Sequence, residues 1–102
     1  MKKEHCYFVY ILTNYEETTF YIGMTHSLVR RTKEHQLHIN KGFSDKYNLK
    51  KLVYYEFFDS VQDAINREKQ LKNWHREWKL NLIKTLNPTL RDLSQDFTEF
   101  DC

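Results

Sequence analysis

Two short runs of β-branched and aromatic residues, 6–12 (Cys-Tyr-Phe-Val-Tyr-Ile-Leu) and 18–23 (Thr-Thr-Phe-Tyr-Ile-Gly), are separated by only a few polar residues. Strands so close in sequence pair as an antiparallel hairpin, because a parallel return would need a crossover of a dozen residues or more. With Asn14–Glu17 as a four-residue loop, Thr13 faces Thr18, paired residue numbers sum to 31, and Tyr10 stands opposite Tyr21. Thr25 and Ser27 then offer helix starts, and residues 27–38 read as a helix with Leu28, Arg31 and His35 along one side. After a loop around Gly42, residues 52–58 make a third strand, and Ser60 with Asp63 resembles a capping box. The helix it opens has an apolar face of Val61, Ala64, Ile65, Leu71 and Trp74. A last helix runs from about His75 to Leu86 through Trp78, Leu82, Ile83 and Leu86, and Asn87-Pro88 ends it. The order is β-β-α-β-α-α, an α+β chain.

At 102 residues there is apolar material for one core, placed at 1–90, with 91–102 as an acidic, loose tail. Gly and Pro number three together, so long loops are few. No apolar run approaches the roughly 20 residues of a bilayer span, and Met-Lys-Lys-Glu-His leads into the first strand without a small-residue cleavage site. The expectation is a cytoplasmic protein without membrane contact. Cys6 and Cys102 stand near opposite ends, form no CxxC pair, and are expected to be free thiols.

A net charge of +2 says little until it is divided. Residues 27–51 hold seven Lys/Arg against two acids and residues 66–84 hold six against two, whereas 52–65 and 91–102 are acidic. Two basic blocks suit a face that meets a polyanion; they equally suit two solvated helix surfaces.

Glu68 is the most informative single residue. It follows Val61, Ala64 and Ile65 at helical spacing and precedes Leu71, so it falls in the middle of an apolar stripe while Arg67, Lys69, Gln70 and Lys72 turn to solvent. A carboxylate there costs several kcal/mol unless it meets a cation, which is either a metal ion or a partner such as Arg31, or unless it reaches outward at the stripe's edge. Arg31 and His35, one turn apart, suit phosphate binding and proton transfer, or are plain surface charge. His35 and His38 have HxxH spacing, but no Cys or acid completes a zinc set. Tyr10 and Tyr21 are either a cross-strand packing pair or phenols that orient a water.

Together, Phe8-Val9-Tyr10-Ile11, then Tyr21-Ile22-Gly23, then Leu28 to His35, resemble the GIY-YIG nuclease module. Arg67 to Trp74 is similar to that module's glutamate helix, and Asn87-Pro88 falls where its core often ends in an asparagine. The likeness spans about residues 7–88. Two positions depart from the pattern: Val9-Tyr10-Ile11 lacks the first glycine, and Met24 stands where some relatives carry a lysine.

The resemblance implies a central three-stranded antiparallel sheet with flanking helices, and a metal-dependent endonuclease acting on DNA in repair or recombination. It implies roles as well. Tyr21 would activate water, Tyr10 would shape the site, Arg31 would steady the scissile phosphate and His35 would assist proton transfer. Glu68 would hold Mg²⁺ or Mn²⁺, and Asn87 would support the site. Arg30, Lys33, Lys41, Lys46, Lys50 and Lys51 are the expected nucleic-acid contacts. The likeness is to the small stand-alone branch, so targeting would come from a protein partner, and oligomeric state is open. The alternatives are a nucleic-acid-binding module with little turnover, or a subunit that docks on protein through Tyr54, Phe57 or Trp74.

Overall fold

The computed structural model describes residues 6–36 and 49–96. Strand β1 (Tyr7–Thr13) lies between β2 (Phe20–Thr25) and β3 (Lys51–Phe58) in an antiparallel sheet of order β2-β1-β3. Helix α1 (Leu28–Gln36) follows β2, and α2 (Val61–Lys72) and α3 (Arg76–Leu86) follow β3; a 3-10 turn spans Leu93–Asp96. The expected order and the three-stranded sheet with three helices are observed. Residues 37–38 of the expected first helix, with the Gly42 loop, Lys41 and Lys46, lie outside the described residues.

As the middle strand, β1 has neighbours on both sides and layers on both faces, which is why it is apolar at nearly every position. Val9 and Ile11 join Ile22, Val53, Ala64, Leu71 and Ile83 in one core cluster, beneath α2 and α3. Phe8, Tyr10 and Leu12 join Leu28, Leu49, Leu52 and Leu93 in a second on the other face. The period of two thus sends the even residues of β1 towards α1 and the odd ones towards α2 and α3.

The hairpin register differs from the expected one. Paired numbers sum to 33, with Tyr10 opposite Gly23 and Leu12 opposite Tyr21. The loop is two residues longer than expected because Asn14 organises it. Its side-chain oxygen accepts from the Thr18 and Thr19 amides at 2.9 and 3.3 Å, while the Thr13 hydroxyl donates to the Thr19 carbonyl at 2.7 Å. A shift of two preserves the faces, so Tyr10 and Tyr21 remain on one side as diagonal neighbours.

The helices are narrower in their burial than periodicity suggests. The Ser60 hydroxyl accepts from the Asp63 amide at 3.3 Å, as a helix start requires. α2 then meets the sheet along Ala64 and Leu71, leaving Val61 44% exposed. α3 packs through Leu80, Leu82 and Ile83, which turns Trp78 and Leu86 away from the core, to 54% and 49% exposed.

The chain beyond residue 90 is not all loose. Leu93 is buried, and the Asp92 carboxylate accepts from the Leu52 amide at 3.2 Å. Residues 97–102 lie outside the described part. Cys6 is disulfide-bonded, correcting the expectation of a free thiol. The cluster holding Cys6 also holds Leu93, so segments remote in sequence are brought together there.

Candidate active site

Tyr10 is 2% exposed, and its ring lies across Gly23 so closely that a Cβ there would overlap the ring's Cζ and hydroxyl. The glycine of Tyr21-Ile22-Gly23 is therefore needed as space for the other tyrosine. Val9, beside Tyr10 in the first motif, is buried in the opposite cluster and fills it. The Tyr10 and Tyr21 rings are 6.3 Å apart and tilted by 48°, and Tyr55 of β3 pairs with Tyr10 from the other side. Burial, then the neighbouring Tyr21, push the Tyr10 phenol far above its ordinary range, against the pull of Arg31; Glu68 and Glu34 add to the rise. Tyr10 is thus a neutral donor at physiological pH rather than a base.

Tyr21, Arg31, Glu34 and Glu68 all lie within electrostatic reach of that buried phenol. They come from β2, α1 and α2. α1 starts where the Ser27 hydroxyl accepts from the Arg30 amide at 3.3 Å, and Leu28 anchors it in the core. Arg31, three residues on, lies with its Nε 3.5 Å from the Glu34 carboxylate, too loose for a hydrogen bond. That Nε is buried and, among the described residues, has no hydrogen-bond acceptor. A buried unsatisfied donor costs about 1–3 kcal/mol, and an incoming oxyanion is the kind of group the guanidinium lacks. His35 lies one turn further along α1; its side chain is outside the described residues.

On α2, Glu68 keeps 22% of its side-chain surface, and its carboxylate lies 3.6 Å from Lys72, one turn away. The pairing of Glu68 with Arg31 considered from the sequence is therefore replaced by Arg31–Glu34 and Glu68–Lys72. Arg67 does not turn to solvent as expected: its Nε and Nη2 fork onto the Glu56 carboxylate, both at 2.9 Å. The Tyr54 hydroxyl donates to the same carboxylate at 2.5 Å. Burial works to raise the Glu56 carboxyl, but the bonds from Arg67 and Tyr54 outweigh it and hold it below its ordinary value. Because consecutive residues leave a helix about 100° apart, this clamp on one flank of α2 fixes the rotation that presents Glu68 on the other.

The remaining expected residues divide. Asn87 is buried and structural: its amide donates to the Val53 carbonyl at 3.1 Å and the Arg91 carbonyl at 2.8 Å, and its side-chain oxygen accepts from the Arg91 amide at 3.2 Å. Arg30 and Lys33 are exposed on α1, and Lys50 is half-buried. Lys51 is 9% exposed, with its ammonium 2.8 Å from Glu17, so it is spent on the hairpin loop. Sequence reasoning missed Glu34, Lys72 and the Tyr54–Glu56–Arg67 clamp. Spacings of three and four along a helix could have found the first two; the clamp depends on how β3 lies against α2, which no local pattern encodes.

Among the described residues no three His, Cys, Asp or Glu side chains form a metal cluster. Of the groups around Tyr10, the partly exposed Glu34 and Glu68 carboxylates, each beside a cation of its own helix, are the ones that would offer oxygen to a hard divalent ion that keeps most of its waters. No helix among the described residues is long and apolar enough to cross a membrane.

Comparison with known proteins agrees with this layout. The family model described as the GIY-YIG catalytic domain matches residues 6–81. A UPF0213 protein of Clostridium perfringens is 39% identical over 82 residues, covering 76% of this chain and 83% of that protein. One of Pediococcus pentosaceus is 32% identical over 90 residues, covering 84% and 90%. The solution structure of a UPF0213 protein from Bacillus halodurans superposes with a TM-score of 0.56 at 23% identity, over 88% of this chain and 95% of that one, a likeness of fold. With its tyrosine pair, its arginine helix and its glutamate helix arranged around one buried phenol, the chain belongs to the GIY-YIG family, carries that family's nuclease-type domain, and stands among the small UPF0213 proteins.

Proposed function

We propose that this protein is a divalent-metal-dependent endonuclease that hydrolyses phosphodiester bonds in DNA, in repair or recombination, with targeting supplied by a protein partner. The observation that carries the reading is the unsatisfied Arg31 Nε within electrostatic reach of the same buried phenol that feels Glu68. A guanidinium short of an acceptor, beside a carboxylate and two phenols, suits a phosphate group better than it suits packing alone.

Mg²⁺ or Mn²⁺ held by Glu68 would counter charge on the phosphate as the bond breaks. Arg31 binds a non-bridging oxygen of that phosphate and stabilises the added negative charge. Tyr10, kept neutral, donates a hydrogen bond and holds the geometry, and Tyr21 orients the attacking water. His35 takes part in moving the proton, and Asn87 acts indirectly by holding β3. Arg30 and Lys33, with Lys41 and Lys46, grip flanking phosphates without reading bases.

Glu68→Gln tests this. Cleavage of supercoiled, branched and single-stranded DNA in Mg²⁺ should fall roughly a hundredfold or more, because losing a metal ligand removes several kcal/mol of transition-state stabilisation. EDTA should abolish wild-type cutting, and folding and DNA binding should survive the substitution. Wild-type rates from Glu68→Gln would end the reading. The Glu68–Lys72 pair favours one competitor, a binding module whose carboxylate merely steadies its helix; that competitor is the answer if the wild-type protein binds DNA but cuts none of the three substrates.

A further inference from the structure

Along α3 and its junction with α2, a hollow of about 370 Å³ is lined by Trp74, Trp78, Asn81, Leu82 and Thr85. Both tryptophans of the chain are in it. Their rings meet edge to face, centroids 5.9 Å apart at 84°, and His75 meets Trp78 in the same way at 5.5 Å and 88°. Even with these two ring contacts Trp78 is 54% exposed. The face of Trp74 carries the Arg67 guanidinium, 5.3 Å from the ring centre. Trp74 and Leu82 also pack against the core, but Trp78 does not, so core packing leaves the exposure of Trp78 unexplained.

The surrounding charge says what would cover it. α2 and α3 with their junction carry six Lys/Arg against three acids. Lys69, Lys79 and Lys84 have no carboxylate partner among the described residues. Burial pulls the Lys79 ammonium below its ordinary value with no opposing charge to restore it. An apolar partner would have to desolvate these cations for nothing, whereas a polyanion that carries flat rings satisfies both the cations and the indole. A carboxamide on the rim, Asn81, can donate to and accept from the edge of such a ring.

We propose that this hollow is a stacking site for an unpaired nucleobase, so that the protein grips a single strand of nucleic acid along α3 and its junction with α2. The assignment deepens the endonuclease reading and rests on it for the identity of the polymer: the preferred substrate has a single-stranded segment next to the bond that is cut.

Because the chain has no tryptophan elsewhere, its intrinsic fluorescence reports on this hollow directly. Titration with a ten-residue oligothymidylate should quench the emission, and an abasic oligomer of equal length and charge should bind more weakly and quench little. Trp78→Ala should weaken oligothymidylate binding about tenfold or more, the loss expected for one stacked base, and Trp78→Phe should restore most of it. Because Trp78 lies on the surface, Trp78→Ala should melt at the wild-type temperature. Equal binding of the abasic oligomer with no base-dependent quenching, or unchanged affinity in Trp78→Ala, would overturn the site. So would a protein that sediments as a dimer and becomes a monomer in Trp78→Ala, since the hollow would then be covered by a second copy. The two readings fail separately: base-dependent quenching in a protein that cuts nothing sinks the nuclease and keeps the site, and cutting that Glu68→Gln abolishes without any quenching does the reverse.

Discussion

Tyr10 and Gly23 form one object made of two residues. The phenol occupies the volume that any other residue at 23 would fill, and burial keeps that phenol protonated. Gly23→Ala should therefore push the Tyr10 ring off its position at a cost of about 1–3 kcal/mol, the usual penalty of overpacking, and reduce cleavage. Tyr10→Phe, which keeps the ring, should melt near the wild-type temperature. A thermal melt of the two variants checks the pair, and an unshifted Gly23→Ala melt would show that the strand yields instead. Tyr10, Tyr21 and Gly23 were legible by their order in the sequence, but the reason for the glycine was not, because it depends on a register shifted by two from the one a four-residue loop implies. The shift comes from the Asn14 side chain, a hydrogen-bonding preference that hydrophobic alternation does not record.

At the scale of elements, α2 is the piece that must be aimed. Its apolar contacts are few, Ala64 and Leu71, and an interface so narrow leaves rotation about the helix axis weakly specified. The forked Arg67–Glu56 pair supplies the missing constraint. Glu56 has its carboxyl lowered in the folded state, so its contribution is present above the ordinary carboxyl range and is lost as pH falls through the lowered value. Wild-type stability should thus drop on acidification below about pH 4.5 more steeply than that of Glu56→Gln. The variant, with Arg67 poorly matched, should be less stable at neutral pH by about 2 kcal/mol. Denaturant melts of both proteins across that range decide it, and parallel curves would remove Glu56 from the account. Helix and strand existence was readable from periodicity throughout. Which face of a helix is buried was less so, as exposed Val61, Trp78 and Leu86 show, because that depends on how wide a strip of sheet lies beneath.

For the whole molecule, charge segregation was visible in the sequence, yet its members are not equivalent in space. Lys33 is exposed on α1, whereas Lys51 is buried against Glu17. Binding to duplex DNA should weaken with salt; Lys33→Ala should reduce the slope of log affinity against log salt by about one, and Lys51→Met should leave it unchanged. Equal slopes for wild type and Lys33→Ala would remove α1 from the binding face. The C-terminal segment was read as a tail because it is acidic and short of apolar residues. Its one aliphatic residue, Leu93, is nonetheless buried, as is Leu90 just before it, and the side chains of Asn87 and Asp92 bind the main chain of β3 at Val53 and Leu52. A border strand in a small sheet is otherwise an open template on which an extended segment of a neighbouring molecule can add itself. Here the first part of that border is already occupied by the chain's own carboxamide and carboxylate, so crowding such molecules together gives them no seam along which to polymerise at that end.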